Sequence, residues 1–363
     1  MKKLRMLYIM HVDWDWIYQR PQILGKKLEE KYDIKVIFNR AIRNRRGLQK
    51  KSIKPSWYSS FINLPKYQQN KFIGFMNNVL QKIYYSLNRP DKFDILWFCY
   101  PFKLDFIPDK FDGIVIYDCM DDHASMPNNS YEKIRAENDE KSLLNIADIV
   151  FVSSATLYNK IKARVNNPNK LYIIRNGYPG EIFCMPNSTT QIKDHYTLGY
   201  IGTIAPWFDF DLLIKSLGVY KNIEYSLIGP NSNSISKNIE RINFIGTVEH
   251  SRLYDTIKNY DCLLMPFILD DLILAVDPVK LYEYISYGKC IISVYYPEID
   301  RFKDFVYFYT TESEFEEVLK ERINDGFRPK YNATQQAEFL ESNSWDIRIN
   351  DINAIIQTVY TKR

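Results

Sequence analysis

The residues with the clearest chemical potential lie in Asp277-Pro278-Val279-Lys280-Leu281-Tyr282-Glu283-Tyr284-Ile285-Ser286-Tyr287-Gly288-Lys289. An apolar run over 261–267 precedes this segment and another over 290–295 follows it. The segment therefore reads as a helix that opens just beyond the end of a buried strand. Lys280 and Glu283, three residues apart, share one face of its first turns. A helix N-terminus offers unpaired backbone N–H groups and the positive end of the macrodipole, both suited to phosphate. Lys280 adds a full charge, and Glu283 can accept hydrogen bonds from vicinal hydroxyls such as those of a ribose. A nucleoside diphosphate fits that set. The competing reading is a solvated salt bridge in a first turn.

A second group, Asp118, Asp121, Asp122 and His123, follows the apolar run 113–117. Clustered carboxylates raise one another's pKa, which suits one of them to accept a proton from an attacking hydroxyl. Capping of the next helix by Asp118 and Asp121 is the alternative. Arg20 opens a helix after the first strand, where its planar guanidinium could hold a phosphate bidentately or make a structural ion pair. Trp14, Trp16 and Tyr18 either stack on a sugar or lipid or pack beneath their own loop. Asp209 is placed to cap the helix that follows it, with sugar contact as the other reading. His11 and His250 have no partners at ligand spacing and read as structural.

Elements that alternate between the two periodicities must position these groups. In the first half, strands are expected at 6–12, 34–38, 95–99, 113–118, 149–152 and 171–174, with helices at 21–30, 72–87, 131–146 and 155–165. Asn176-Gly177-Tyr178-Pro179-Gly180 is a turn signal that closes this half, and the polar stretch 186–194 reads as a linker. A second series follows. Its strands are expected at 197–201, 224–228, 242–245, 262–266, 290–294 and 306–309, with helices at 209–217, 251–259, 280–287, 312–324 and 345–360. Strand–helix alternation of this kind predicts two doubly wound α/β domains whose strand C-termini border a cleft. No GxGxxG follows the first strand and no GxxxxGK[ST] occurs, so dehydrogenase and P-loop readings are weak.

At 363 residues the chain fits two domains rather than one core. Its net charge of +4 is too small to argue for nucleic acid. The placement of charge is more telling: from Ile34 to Pro90 there is no acidic residue and about a dozen Lys and Arg, among them Arg43, Arg45, Arg46, Lys50, Lys51 and Lys54. Tyr58, Phe61, Tyr67, Phe72, Phe75, Tyr84 and Tyr85 are interleaved. Such a zone suits an anionic membrane surface, where each basic side chain contributes roughly 1 kcal/mol. The plainer reading is a solvated loop followed by a core-packing helix, with the stripe Phe72, Met76, Val79, Leu80, Ile83 and Leu87 turned inward. The five cysteines, Cys99, Cys119, Cys184, Cys262 and Cys290, show no metal-binding or redox spacing and read as buried free thiols. No run of about 18 apolar residues exists to span a bilayer. The first apolar run is too short and wrongly flanked for a signal peptide, so a cytoplasmic protein, peripheral at the inner face of the plasma membrane, is expected.

Several segments carry a resemblance. Leu198-Gly199-Tyr200-Ile201-Gly202-Thr203, Leu227-Ile228-Gly229-Pro230, Asn243-Phe244-Ile245-Gly246, the run 260–267 and the stretch 278–289 resemble the donor domain of GT-B glycosyltransferases. Gln19-Arg20-Pro21-Gln22, the stretch 117–122, the run 147–154 and Arg175-Asn176-Gly177 are similar to the same group. Bacterial cell-surface polysaccharide enzymes of the teichuronic acid type, family-4-like, are the nearest in pattern. The resemblance implies two Rossmann-like domains facing an interdomain cleft: an N-terminal acceptor domain over 1–185, a C-terminal nucleotide-sugar domain over 195–342, and a helix over 343–363 that crosses back.

It also implies roles. Backbone amides of Gly202 and Thr203 would lie near the diphosphate, with Lys280, Asp277, Pro278 and Val279 at the helix entry and Glu283 on the ribose. The base would lie near Thr247 and Val248. Trp14, Arg20 and His123 are placed toward acceptor or phosphate. Asp121 or Asp122 would be the base in an inverting enzyme, and would only position substrates in a retaining one. The pattern departs from many retaining members in two places. Ala275 stands where they keep a glutamate, so Asp270, Asp271 or Asp277 would have to replace it. Thr203, Trp207 and Asp209 stand in a loop where they keep an Arg and Lys pair. The expected activity is sugar transfer from a nucleoside diphosphate sugar, UDP favoured, to a glycan or lipid-linked acceptor, with no cofactor, metal or nucleic acid. A nucleotide-sugar 2-epimerase and a catalytically silent nucleotide-sugar-binding partner are the rival readings.

Overall fold

The computed structural model describes the chain except residues 1–2, 16–18, 41–53, 68–69, 102–103, 105–106, 124–129, 179, 184, 186–191 and 232–238. Trp16, Tyr18, Cys184, the basic run from Arg43 to Lys51 and most of the expected linker therefore lie outside the described residues. The chain divides into two compact units, one of Met1–Arg175 with Asp346–Arg363 and one of Asn176–Trp345.

The first unit is built on β1 (Arg5–Met10), α1 (Arg20–Leu28), β2 (Asp33–Arg40), β3 (Tyr58–Ile62), α2 (Lys71–Leu87), β4 (Ile95–Phe98), β5 (Ile114–Cys119), α3 (Ser130–Ile146), β6 (Ile149–Val152), α4 (Ala155–Lys162) and β7 (Leu171–Ile173). Its seven strands run parallel in the order β3-β2-β1-β4-β5-β6-β7. Parallel strands covered on both faces need continuous apolar runs rather than alternation. Ile95, Leu96, Trp97 and Phe98 of β4 accordingly have no exposed surface. The order reverses between β1 and β4, and the loops after those strands are where such sheets take ligands.

The second unit comprises β8 (Tyr196–Ile201), α5 (Phe210–Val219), β9 (Ile223–Ile228), β10 (Ile242–Gly246), α6 (Leu253–Ile257), β11 (Cys262–Met265), α7 (Val279–Ser286), β12 (Cys290–Val294), β13 (Tyr307–Tyr309), α8 (Glu312–Asn324) and α9 (Ala333–Ser342). Its strands are parallel in the order β10-β9-β8-β11-β12-β13, so the reversal falls between β8 and β11. Last comes α10 (Trp345–Tyr360), which packs on the first unit beyond its opening residue. There Tyr32 Oη donates to Asn353 Oδ1 at 2.8 Å, and Lys27 pairs with Asp346.

Three elements differ from the sequence expectations. β3 pairs as an edge strand where the sequence pattern predicts loop; the Tyr-Ser-Ser-Phe-Ile stretch has the β-branched and aromatic content of a strand. α9 is absent from the helices that the sequence pattern predicts, yet Asn332 and Gln335 form a reciprocal capping box that marks its start in the sequence. The third difference is the orientation of α2. Its apolar stripe was expected in the core, but Phe72, Phe75, Ile83 and Leu87 are all more than half exposed. The polar side of α2 is the one that packs. Asn77 is 1% exposed; its Oδ1 accepts from Leu64 N at 2.8 Å and its Nδ2 donates to Asn63 Oδ1 at 3.0 Å. No helix among the described residues is long and apolar enough to cross a membrane.

Candidate functional site: an anion cradle and a carboxylate–histidine cluster

In the second unit, the chain leaves β8 through Gly202 at φ +149°, a conformation that side-chain-bearing residues rarely adopt. A Cβ there would overlap Lys280 Cε and come within 2.8 Å of Tyr200 Oη. The missing side chain therefore lets Lys280 lie across the backbone at the β8–β11 reversal. Its Nζ sits 6.0 Å from the Tyr200 ring and 5.9 Å from the Phe267 ring. No carboxylate pairs with that ammonium among the described residues. Burial lowers the Lys280 pKa, while Glu283 opposes the shift.

Helix α7 begins at the same place. No side chain caps it and its first turn holds no acidic residue, so its positive dipole end is left uncompensated. Two anchors fix its position. Tyr284 Oη accepts from Ile201 N at 2.9 Å and donates to Leu264 O at 3.3 Å, which ties α7 to the ends of β8 and β11. At its far end, Gly288 at φ +66° closes the helix, and Tyr331 and Gln336 donate to the Ile285 carbonyl. Helix and lysine together make a cradle for an anion with two or more charged oxygens.

Glu283 faces a partner that the sequence reading did not provide. His250 Nε2 lies 3.1 Å from Glu283 Oε1, and this contact raises the His250 pKa against the opposing effect of burial. The two residues are 33 positions apart, and nothing in their spacing announces the pair. Val248, half-buried, precedes His250 in the same loop after β10, and Thr247 is exposed beside it.

Other expected residues of this unit have different tasks. Asp277 is 2% exposed, pairs with Arg301 and accepts from Asn176 N at 2.6 Å. It is a buried anchor, not an open ligand for a sugar, because both carboxylate oxygens are already engaged. Pro278 is the residue before the first helical turn, and Val279 opens it. The Gly202 amide is also committed, donating to Ile228 O at 2.8 Å; the neighbouring Thr203 N–H has no acceptor among the described residues. Asp209 caps α5 through Leu212 N at 2.9 Å, and Asp270 accepts from Ile273 N at 2.8 Å.

In the first unit, Arg20 and Asp118 bind each other. Arg20 Nη2 and Nε lie 2.7 and 3.1 Å from the two Asp118 oxygens, and Nη1 donates to Ile174 O at 2.8 Å. Arg20 is 3% exposed and Asp118 has no exposed surface. This is a structural clamp between α1 and β5, since a buried guanidinium needs its charge balanced where it lies. Trp14 is 1% exposed, fitted against Gly25 and Phe38, so it packs beneath its loop and does not present a stacking face.

The remaining carboxylates are distinguished by their partners. Asp122, 3% exposed, pairs with Lys160 Nζ at 2.8 Å. Asp121 makes no ion pair among the described residues. Burial pushes its pKa up to about 6, with Asp118 and Asp122 adding to the rise and Arg20 opposing it. A base poised there takes up a proton readily near neutral pH. Beside it, His123 stands edge-on to His11 at 5.6 Å and to Tyr100 at 4.8 Å, and His11 stacks on Tyr100 at 4.7 Å. These rings follow β1, β4 and β5, at the reversal of the sheet. Burial lowers the His123 pKa to about 3 and the His11 pKa to about 4, so both are neutral imidazoles. Neither ring nitrogen of His123 has a hydrogen-bond partner among the described residues.

Comparison with known proteins gives the context. No protein-family profile matches the chain. A Bacillus subtilis (strain 168) protein, a candidate teichuronic acid biosynthesis glycosyltransferase named TuaH, is 24% identical over 214 residues. That match spans 54% of this chain and 54% of the relative, about half the length of each. Among solved structures, the lipopolysaccharide outer core galactosyltransferase WaaB in its apo form is similar at a TM-score of 0.66 and 14% identity, covering 98% of this chain and 99% of that one. Sucrose-phosphate synthase from Thermosynechococcus elongatus gives 0.68 at 10% identity, covering 99% and 100%. Anabaena Alr3699/HepE in complex with UDP-glucose gives 0.60 at 14%, covering 99% of each chain. The shared property at these identities is the fold, the GT-B fold of glycosyltransferases.

Proposed function

We propose that this chain, built on the GT-B fold and related to bacterial surface-glycan enzymes, transfers a sugar from a nucleoside diphosphate, with UDP favoured. The acceptor is a hydroxyl of a surface polysaccharide or lipid-linked oligosaccharide. The observation that carries this reading is Lys280, laid over Gly202 beside the uncapped start of α7. UDP is favoured because HepE, one of the similar structures, was solved with UDP-glucose.

As the bond from the sugar to the diphosphate breaks, negative charge grows on the leaving oxygens. The Lys280 ammonium, the first-turn amides of α7 and the Thr203 N–H are fixed donors for that charge and need no reorganisation during the step. Glu283 accepts from ribose hydroxyls with the oxygen that His250 does not hold. Val248 and Thr247 border the base. This stabilisation calls for no metal ion.

On the acceptor side, Asp121 is the carboxylate left to take the hydroxyl proton, because Asp118 and Asp122 are neutralised by Arg20 and Lys160. The neutral ring of His123 orients the same hydroxyl through a nitrogen that has no hydrogen-bond partner among the described residues. The enzyme works in the cytoplasm, peripheral at the inner face of the plasma membrane, where lipid-linked acceptors are presented.

Titration calorimetry with UDP, in buffer with EDTA, tests the donor site. Binding in the wild type, and its loss in Lys280→Ala and Glu283→Ala, is expected. Unchanged affinity in both variants would sink the assignment.

A further inference from the structure

Helix α2 is amphipathic the wrong way round for a helix that packs on its own sheet. With successive residues roughly 100° apart, Asn77, Gln81, Tyr85 and Asn88 form the inward face. Asn77, Tyr85 and Asn88 are buried, and Gln81 Nε2 donates to Asn39 Oδ1 at 3.5 Å. Phe72, Phe75, Met76, Leu80, Ile83 and Leu87 fall on the opposite face and stand in solvent, Phe72 at 71% and Leu87 at 75% exposure. Single exposed apolar residues need no explanation, but a contiguous stripe along roughly four turns does. At about 1.5 Å per residue the stripe is about 25 Å long.

We infer that this face of α2 lies in the interface of an anionic lipid bilayer, parallel to its plane, with the apolar side chains among the acyl chains. The charges beside it select that occupant. Lys71 and Lys82 are exposed on one flank of the stripe, and Lys66 is exposed just before the helix. None of the three pairs with a carboxylate among the described residues, and no acidic residue occurs from Ile34 to Pro90. An interfacial helix has this composition: bulky apolar residues on one side and lysines at the level of anionic headgroups. A second copy of the chain fits less well. A two-fold contact that set the two stripes antiparallel would bring each lysine flank beside its equivalent, and like charges would face each other. The inference deepens the peripheral-membrane part of the proposed function and rests on that part, not on the nucleotide site.

The test is co-flotation of the full chain with vesicles, without nucleotide. Recovery with phosphatidylcholine vesicles containing phosphatidylglycerol should exceed recovery with phosphatidylcholine alone. The variant Phe75→Ser/Leu80→Ser/Ile83→Ser changes only exposed positions and should keep the wild-type circular dichroism. Its partitioning into anionic vesicles should fall at least about tenfold, given the apolar area removed. Lys71→Ala and Lys82→Ala should each lower it about fivefold. Equal recovery of the wild type with both vesicle types, or wild-type flotation of the triple variant, overturns the inference. So does a wild-type dimer by light scattering that the triple variant dissolves, which would make a second copy the occupant. UDP titration separates the two readings: retained UDP affinity with lost flotation in the triple variant supports the inference and leaves the donor site intact, whereas a wild type that floats on anionic vesicles but binds no UDP counts against the donor site alone.

Discussion

Gly202 and Lys280 are complementary: the lysine stem occupies the volume that any side chain at position 202 would need. One residue supplies the charge and the other, by lacking a Cβ, supplies the place for it. Gly202→Ala should therefore act at a distance on the ammonium. We expect it to lower UDP affinity about tenfold and to destabilise the second unit by about 1–3 kcal/mol, because φ +149° is strained for alanine. Lys280→Ala should lose about 10- to 100-fold in affinity, the worth of one charge-assisted hydrogen bond, without that destabilisation. Calorimetry and thermal unfolding, run on both, distinguish the two effects.

Asp121 should trade stability for activity. Its folded pKa of about 6 lies above the ordinary carboxylate value. The charged form is thus disfavoured in the folded state, and the cost is fully present above pH 6 and absent below the unfolded pKa. Asp121→Asn should raise stability at pH 7 by about 1–3 kcal/mol, an advantage that fades toward pH 4. The same variant should lose most transferase turnover, and wild-type turnover should fall as pH drops below about 6. Denaturation at the two pH values, with a pH–rate profile, checks both.

His250 should make donor binding sensitive to pH. Its pKa is raised by Glu283, so protonation pins one Glu283 oxygen and offsets a negative charge that would repel the diphosphate. UDP affinity should fall by up to about fivefold as pH rises and the imidazole loses its proton. His250→Ala should bind UDP with the weaker affinity at every pH. A titration series in which the variant keeps the wild-type pH dependence would remove His250 from this role.

The Arg20–Asp118 clamp should matter to folding more than to the donor site. Asp118→Asn leaves a buried guanidinium without its counter-charge and should cost about 3–5 kcal/mol in chemical denaturation. UDP affinity of the folded variant should stay within about twofold of the wild type.

Most of the sheet was legible in the chain because parallel strands buried on both faces must be unbroken apolar runs, as at Ile149–Val152 and Cys290–Val294. The lysine at the start of α7 was legible for a related reason: a strand end, a helix start and a charge are all local features. The edge strand β3 was missed because an edge needs no continuous apolar run. The stripe on α2 was recognised but assigned to the wrong side, since periodicity gives a face and not a direction.

Sequence alone determined the alternation of strands and helices, the two series of elements, the position of Lys280 in a first turn and the basic character of residues 34–90. Tertiary structure decided which carboxylate, among the described residues, was left without an ion pair, which histidine met Glu283, and which way α2 turned. These outcomes depend on contacts between residues 33 to 98 positions apart, or on the choice between two faces of one helix. Spacing along a chain reports neighbours within a few residues, and only packing brings Arg20 to Asp118 or His250 to Glu283.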